Sequence, residues 1–329
     1  MESRKLGRQG LEVSKIGFGC MGLSMAYGGG VPDADGLTVL HRAVELGITF
    51  FDTAEVYGPF TNERLLGQAL GPVRDKVVIA TKFGFKVRPE GGRPQGVDSH
   101  PDRIRAVCDA SLQRLGIDCI DLFYQHRVDP QIPMEDVAGT VGDLIAQGKV
   151  RYFGLSEASA DSIRAAHAVY PVSALQSEYS LFTRTPEHRV LPVCRELGIG
   201  FVPYSPLGRG FLGGAGRTAE LAQGDFRRDI PRWHGEALQA NLKLYDSLDS
   251  LARTKGSTAA QLALAWLFHQ GEDIVPIPGT TKVHRLEENT AATAISLSAE
   301  ELAAIAATMP EEAVQGERFD PGGRVLVEQ

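Results

Sequence analysis

The sequence has little of what marks several large protein classes. Its four cysteines, Cys20, Cys108, Cys119 and Cys194, form no CxxC pair and no zinc-ligand spacing, so we expect reduced thiols and no metal site. No run approaches the roughly 18–20 apolar residues that span a bilayer, and residues 1–7 lack a signal peptide's apolar core. The net charge of −7 offers no basic surface for nucleic acid. We expect a cytoplasmic protein without membrane or nucleic-acid partners.

What the sequence contains is an alternation of short β-rich runs and amphipathic helical runs. The eight strand candidates are Ile16–Cys20, Thr49–Thr53, Val77–Lys82, Asp121–Gln125, Arg151–Ser156, Ala174–Glu178, Gly200–Ser205 and Asp273–Pro278. The helix candidates are Leu37–Leu46, Glu63–Leu70, Pro101–Leu115, Met134–Gln147 and Glu187–Leu197. A glycine follows each helix closely, and glycine takes the left-handed conformation that ends helices without steric cost.

This alternation predicts an α/β fold with parallel strands and right-handed crossovers. An open doubly wound sheet and a closed (β/α)8 TIM barrel both fit, and the count of eight favours the barrel. Lys5–Val13 is typical of a hairpin, which we place at the bottom of the barrel. Two segments exceed a normal barrel loop, Gly208–Gly235 and the tail after Met309. With no linker or repeat in view, we predict a single domain over residues 1–329.

One motif points elsewhere. Gly17–Gly22 matches GxGxxG, the dinucleotide-binding fingerprint of the Rossmann fold. That fingerprint requires a helix directly after it. Leu23–Gly30 is instead typical of a loop, and we therefore reject the Rossmann interpretation.

In a βα barrel the active site lies at the carboxyl ends of the strands. The predicted ends carry the polar residues Asp52, Lys82, His126, Ser156, Gln176, Glu178, Tyr204, Ser205 and Thr280, the last of these next to Gly279. Each has a simpler explanation by itself. Asp52 and Lys82 can be a structural ion pair, His126 a structural histidine, and Tyr57, in the turn after Asp52, a packing residue.

Together, four of these side chains suit proton donation to a carbonyl oxygen. A phenol is a poor acid at neutral pH, and a nearby ammonium lowers its pKa by stabilising the phenolate. We assign the phenol that donates the proton to Tyr57 and the ammonium to Lys82, which Asp52 holds in place. The imidazole of His126 can then polarise the carbonyl by a hydrogen bond.

The sequence resembles the aldo-keto reductases over nearly its whole length, most closely the branch of pyridoxal reductases and perakine-reductase-like plant enzymes. The motifs that carry the resemblance are Gly47–Gly58 with Asn62 and Glu63, Ile79–Gly84, Leu112–His126, Gly148–Glu157, Leu175–Ser180, Pro203–Gly210 and Ile277–Lys282. The resemblance implies NADPH-dependent reduction of aldehydes or ketones. It places the family's catalytic tetrad on Asp52, Tyr57, Lys82 and His126.

The resemblance also implies a set of cofactor-binding residues. These are Gly19, Cys20, Met21 and Asp52 near the first strands, Ser156 and Gln176 at the nicotinamide carboxamide, Tyr204 stacked on its ring, Ser205, Leu207, Gly208, Arg209 and Gly210 at the pyrophosphate, and Gly279, Thr280, Thr281, Lys282, Arg285, Glu288 and Asn289 at the adenosine end. Lys282 and Arg285 open a predicted helix, a place that suits a 2′-phosphate and so favours NADPH. Glu157 stands where many members have Asn.

A second interpretation is an NADPH-binding regulatory subunit with little turnover, because such members of the superfamily also keep the tetrad. The expected partner in either case is a small molecule. Tyr27, Phe83, Phe85 and Trp233 are candidates for lining the substrate pocket. The sequence does not predict the substrate or the oligomeric state.

Overall fold

Seven short parallel strands form the centre of the fold in the computed structural model, which describes residues 1–25, 27–218 and 221–328. These strands are β3 (Phe18–Gly19), β4 (Phe50–Asp52), β5 (Val78–Phe83), β6 (Ile120–Gln125), β7 (Val150–Ser156), β8 (Val172–Glu178) and β9 (Gly200–Tyr204). Each pairs with the next along the chain, from β3 to β9. This order is the one that βα units with short crossovers produce.

Helices surround the strands. They are α1 (Met21–Ser24), α2 (Asp33–Glu45), α3 (Thr61–Leu70), α4 (Pro101–Leu115), α5 (Met134–Ala146), α6 (Ala160–Val169), α7 (Pro186–Arg189), α8 (Leu191–Leu197), α9 (Ala215–Thr218), α10 (Gly235–Thr254), α11 (Ala259–Phe268), α12 (Val283–Ala291), α13 (Ala299–Thr308) and α14 (Pro321–Arg324). No helix among the described residues is long and apolar enough to cross a membrane.

The strand side chains divide between two apolar clusters. Successive residues of a strand point to opposite faces of the sheet. Phe50 and Leu122 therefore pack inside the barrel, while Phe51 and Phe123 face the surrounding helices. The predicted βα barrel is confirmed.

The eighth predicted strand, Asp273–Pro278, is a correction, because the structure forms no regular strand there. The segment nevertheless lies between β9 and β3 and closes the barrel. Val275 and Ile277 donate N–H bonds to β9 at 2.9 and 3.0 Å, and the carbonyl oxygen of Pro276 accepts from Gly17 at 3.0 Å. Pro276 and Pro278 have no N–H, so a regular ladder cannot form.

The predicted N-terminal hairpin is confirmed and consists of β1 (Ser3–Leu6) and β2 (Leu11–Ser14). Leu6, Leu11 and Val13 are buried against the apolar cluster inside the barrel. A Cβ atom at Gly200, where β9 begins, would lie 2.6 Å from the Cα of Leu6. The hairpin therefore covers the amino-terminal end of the barrel, opposite the strand ends that carry the polar residues.

The helix boundaries are close to those predicted, with three differences. The helix expected over Glu187–Leu197 is split into α7 and α8 at Val190. Gly71 has φ −50°, because the chain continues there into a 3₁₀ turn over Gly71–Lys76. The segment predicted as a loop after Gly22 begins inside the four-residue helix α1, and the crossover helix α2 starts only at Asp33.

The two long segments both contain short helical turns. Gly208–Gly235 holds α9 and 3₁₀ turns at Phe211–Gly213, Phe226–Asp229 and Pro231–Trp233, and its residues 219 and 220 lie outside the described part of the chain. Arg93, in the loop after β5, donates to Asp229 at 3.0 Å and to Asp320 of the tail at 2.7 Å. The guanidinium group of Arg93 thus links the loop after β5 to both the Gly208–Gly235 segment and the tail.

Candidate active site

Asp52 and Lys82 enter the barrel because of strand periodicity. In β4, Phe50 faces the barrel interior and Phe51 the helices, so Asp52 returns to the interior. In β5, Ala80 faces the interior, and Lys82 follows two residues later. Both charged residues stand at the carboxyl ends of neighbouring strands, paired through Asp52 and Ala80. The sequence therefore brings an acid and a base into contact at the barrel mouth.

The Lys82 ammonium is fully buried, and each of its three protons has an acceptor. It forms a short bond to the carboxylate of Asp52 and donates to the Thr53 carbonyl at 2.8 Å. Its third partner is the hydroxyl oxygen of Tyr57, at 3.3 Å. Burial by itself lowers the pKa of Lys82, but Asp52 and Tyr57 outweigh burial, so this pKa lies above its usual value. Lys82 is therefore an ammonium group at neutral pH.

The turn that carries Tyr57 is held by a buried polar network. Asn62 accepts a 2.5 Å bond from the Thr53 hydroxyl and donates to the Cys20 carbonyl at 2.9 Å. Within the turn, the Tyr57 N–H donates to the Ala54 carbonyl at 3.1 Å. Asn62 thus ties the turn to β3 and fixes the phenol beside the ammonium.

The electrostatics of Tyr57 differ from the expectation. Burial raises the pKa of the phenol above its usual value, and the Lys82 ammonium opposes this rise without cancelling it. Tyr57 is therefore protonated at neutral pH. The ammonium makes loss of the proton less unfavourable than burial alone would.

His126 packs against the ring of Tyr57, and its imidazole is neutral. Its ring meets that of Tyr57 edge-on, with centroids 5.8 Å apart, and the ring of Phe85 lies at 4.7 Å. Burial and the nearby Lys82 and Arg127 hold the pKa of His126 well below its usual range. The structure therefore brings all four predicted catalytic residues together.

Gln176 connects the predicted carboxamide site to the predicted catalytic group. Its Nε2 donates to the second carboxylate oxygen of Asp52 at 2.8 Å, and its Oε1 accepts no hydrogen bond from the residues that the structure describes. Ser156, on the neighbouring strand β7, accepts a bond from Arg127 at 3.2 Å. The hydroxyl of Tyr204 is buried and has no hydrogen-bond partner among the described residues.

Glu157 forms an ion pair with the tail of the chain. Its backbone is left-handed, with φ 54°. Its carboxylate accepts two bonds from Arg318 of the tail, at 3.0 and 2.7 Å, and one from the Glu178 N–H at 2.9 Å. These bonds lower the pKa of Glu157 against the opposing effect of burial. Glu157 therefore anchors the tail across the strand ends.

The predicted pyrophosphate residues form a tight turn after β9. The Gly208 N–H donates to the Ser205 carbonyl at 2.9 Å, and the Gly210 N–H to that of Leu207 at 3.1 Å. The side chain of Arg209 folds inward and donates to Glu178 at 3.0 Å. Its charge is thus already paired.

The predicted adenosine residues surround the start of α12. Lys282 is the residue before the helix, and its side chain does not cap the helix. Arg285, in the first turn, donates to Glu288 at 2.7 Å, and Asn289 is buried. The first N–H groups of a helix have no partners within it. This end therefore presents backbone donors beside cations.

Gly19, Cys20 and Met21 lie where β3 meets the segment that closes the barrel. A Cβ atom at Gly19 would lie 2.7 Å from the Ile277 carbonyl oxygen, so glycine permits this close approach. The Cys20 N–H donates to the Asp52 carbonyl at 2.9 Å. Cys20 is fully buried, and Met21 is half-buried.

Of the four aromatic candidates for the pocket, Phe85 alone contacts a predicted catalytic ring. Phe83 points to the helices and packs on Phe123 at 4.7 Å, so its assignment to the pocket is wrong. Tyr27 packs on Phe226 at 5.2 Å, and Trp233 is buried against Phe211 at 5.2 Å.

Sequence reasoning missed Arg127 and Arg318. Arg127 directly follows His126, which was a sufficient signal to consider it. Arg318 lies far from its partner Glu157 in a tail without periodicity, so no signal in the sequence linked them. A cleft of about 230 Å³ opens between the tail and β8, and both Glu157 and Arg318 line it. Among the described residues no group of three His, Cys, Asp or Glu side chains is placed to hold a metal ion.

Comparison with known proteins relates the whole chain to one family. The model of the "Aldo/keto reductase family" matches residues 15–309. The "Probable aldo-keto reductase 1" of Glycine max is 49% identical over 319 residues, 97% of this chain and 92% of that protein.

Two solved structures share the fold. A glycerol dehydrogenase from Gluconobacter oxydans has a TM-score of 0.84 at 27% identity, covering 97% of this chain and 98% of that one. The holo form of an aldo-keto reductase from Bacillus halodurans has a TM-score of 0.79 at 26% identity, covering 94% and 97%.

Proposed function

The chain belongs to the aldo/keto reductase family, and from that premise we propose that it reduces aldehydes or ketones with NADPH, with Tyr57 as the proton donor. Membership makes the protein an oxidoreductase that acts on small carbonyl compounds with a nicotinamide cofactor. The observation that carries the finer proposal is the contact of one buried ammonium, that of Lys82, with both Asp52 and the Tyr57 hydroxyl.

The residues at the barrel mouth fit such a cofactor. The Oε1 of Gln176 and the hydroxyl of Ser156 suit a carboxamide. The buried hydroxyl of Tyr204, which has no partner in the described part of the chain, lies at the same end of the barrel. When bound, NADPH supplies a hydride to the carbonyl carbon. Everything else in the reaction falls to the protein's own side chains.

Tyr57 delivers the proton. Its raised pKa keeps the phenol protonated until charge develops on the substrate oxygen. The Lys82 ammonium then stabilises the tyrosinate that remains, and Asp52 holds that ammonium in place. His126, neutral at working pH, offers a ring N–H to the same oxygen and polarises the carbonyl. Proton and hydride reach opposite ends of one C=O bond.

The choice of NADPH rests on the start of α12. Lys282 and Arg285 flank backbone N–H groups that have no partner within the helix, and all of these donors suit a 2′-phosphate. Arg285 exchanges its bond with Glu288 for one with phosphate. A cytoplasmic location remains part of the proposal.

The test is turnover of a panel of aldehydes and ketones with NADPH by the wild type and by Tyr57→Phe. The substitution keeps the ring and removes the proton, so we expect kcat to fall by about 100-fold or more. Tyr170→Phe, on the outer side of the barrel beside Gly142, is the matched control and should retain activity. Equal rates for Tyr57→Phe and the wild type would refute the mechanism. Tight NADPH binding without turnover would favour the regulatory subunit.

A further inference from the structure

Arg127 is a cation at the mouth of the barrel whose binding edge is free. Its Nη1 donates to the His126 carbonyl at 2.6 Å and to the Ser156 hydroxyl at 3.2 Å. Its Nε and Nη2 have no hydrogen-bond partner within the described residues, and they are not among the buried unpartnered atoms of this half-buried side chain. These two atoms form the edge of a guanidinium group that binds a carboxylate with two parallel bonds.

The other arginines around the mouth are already paired with carboxylates. Arg318 is bound to Glu157 at 2.7 Å, and Arg209 to Glu178 at 3.0 Å. Arg127 has no carboxylate within 4.0 Å in residues 1–25, 27–218 and 221–328. The carboxylate whose charge it does influence, Glu157, is occupied by Arg318. The mouth therefore carries positive charge that the protein itself does not balance.

Arg127 is also close to the predicted site of reduction. The ring of Phe85 lies 4.7 Å from the ring of His126 and 6.0 Å from the guanidinium carbon of Arg127. The charge of Arg127 also lowers the pKa of both Tyr57 and His126, although burial dominates in each case. A ligand whose carbonyl group contacts Tyr57 can thus reach Arg127 with a second group on a short chain.

We propose that Arg127 determines specificity by binding a carboxylate on the substrate, so that short oxo acids are preferred to uncharged carbonyl compounds. This inference rests on the proposed reductase activity. A neutral substrate leaves the free edge of Arg127 facing water, whereas a carboxylate gains two charge-assisted bonds there. The preference should appear mainly in KM, because the same pair forms in the ground state and the transition state.

The test uses two substrates that differ in charge, 4-oxobutanoate and its methyl ester, with NADPH and the full-length enzyme. The wild type should prefer the acid by about 10- to 100-fold in kcat/KM, the range expected of a charge-assisted pair. Arg127→Gln should bring this ratio close to one, chiefly through a higher KM for the acid. Arg127→Lys should retain part of the preference, because it keeps the charge but loses the paired donors. The control Arg88→Gln removes an exposed charge and should keep the ratio.

Three results would overturn the proposal. One is a wild type without preference for the acid. Another is an Arg127→Gln enzyme that loses activity equally on both substrates while its KM for NADPH rises. That result would show that Arg127 positions Ser156 for cofactor binding and does not bind the substrate. In both cases, ester reduction that depends on Tyr57 would leave the reductase function standing. Absence of turnover with every carbonyl compound would remove the proposed function as well.

Discussion

Glu55 is a buried carboxyl in the turn that presents Tyr57, and it should make stability depend on pH. One carboxylate oxygen accepts a bond from Arg103 at 3.0 Å, and the other is buried without a partner among the described residues. Burial raises the pKa of Glu55 to about 7, Glu63 adds to the rise, and Arg103 and Arg114 oppose it. The folded protein therefore holds this proton more tightly than the unfolded chain does.

The sign and size of the effect follow from that difference. The pKa of Glu55 is about 7 in the fold against a usual 4.5, so its contribution to stability is fully present below pH 4.5 and is lost as the pH rises through 7. Each pH unit between these values removes about 1.4 kcal/mol. From pH 5 to pH 8 the loss is about 2.5 kcal/mol. Glu55→Gln keeps the shape but cannot ionise, so this variant should escape the loss.

The measurement is urea unfolding of the wild type and Glu55→Gln at pH 5 and pH 8. The free energy of unfolding of the variant, relative to the wild type, should rise by about 2.5 kcal/mol between the two pH values. Any fixed cost of the amide beside Arg103 cancels in this comparison. Glu90→Gln, at an exposed position, is the control and should show no such change. A relative stability of Glu55→Gln that stays constant within about 0.5 kcal/mol would refute the reasoning.

Three further changes test other parts of the site. Asp52→Asn leaves a buried ammonium without its counter-charge and should cost about 3–5 kcal/mol in urea unfolding, and a cost below about 1 kcal/mol would contradict the buried ion pair. Arg285→Ala should raise the KM for NADPH by about 10-fold or more and that for NADH far less, whereas equal effects would reject the 2′-phosphate assignment. Arg318→Ala removes the partner of Glu157 and should speed limited proteolysis of the tail after Met309; an unchanged cleavage rate would show that other contacts hold the tail.

Much of the fold could be predicted because local signals agree with the global arrangement. Pro101–Leu115 is helical over its predicted length, since proline opens the segment and a left-handed Gly116 ends it. The helix predicted to end at Leu70 also ends there, but Gly71 is right-handed rather than left-handed, because glycine permits both conformations and the chain continues into a 3₁₀ turn. The prediction of a strand over Asp273–Pro278 was wrong for another reason. Its apolar pattern is that of a strand, but its prolines cannot complete the ladder.

Some features of the site also follow from strand periodicity, whereas others depend on burial, which the sequence does not show. Periodicity places Asp52 and Lys82 on one surface inside the barrel, so their contact follows from the sequence. The direction of the Tyr57 pKa does not, because a sequence shows the neighbouring ammonium but not the loss of water around the phenol. Contacts between the barrel and the tail are still harder to predict from the sequence. The pairing of Glu157 with Arg318 joins residues 161 apart in the chain. Because that pairing occupies Glu157, Arg127 has no carboxylate partner among the described residues, and our proposal that it binds a substrate carboxylate starts from this contact.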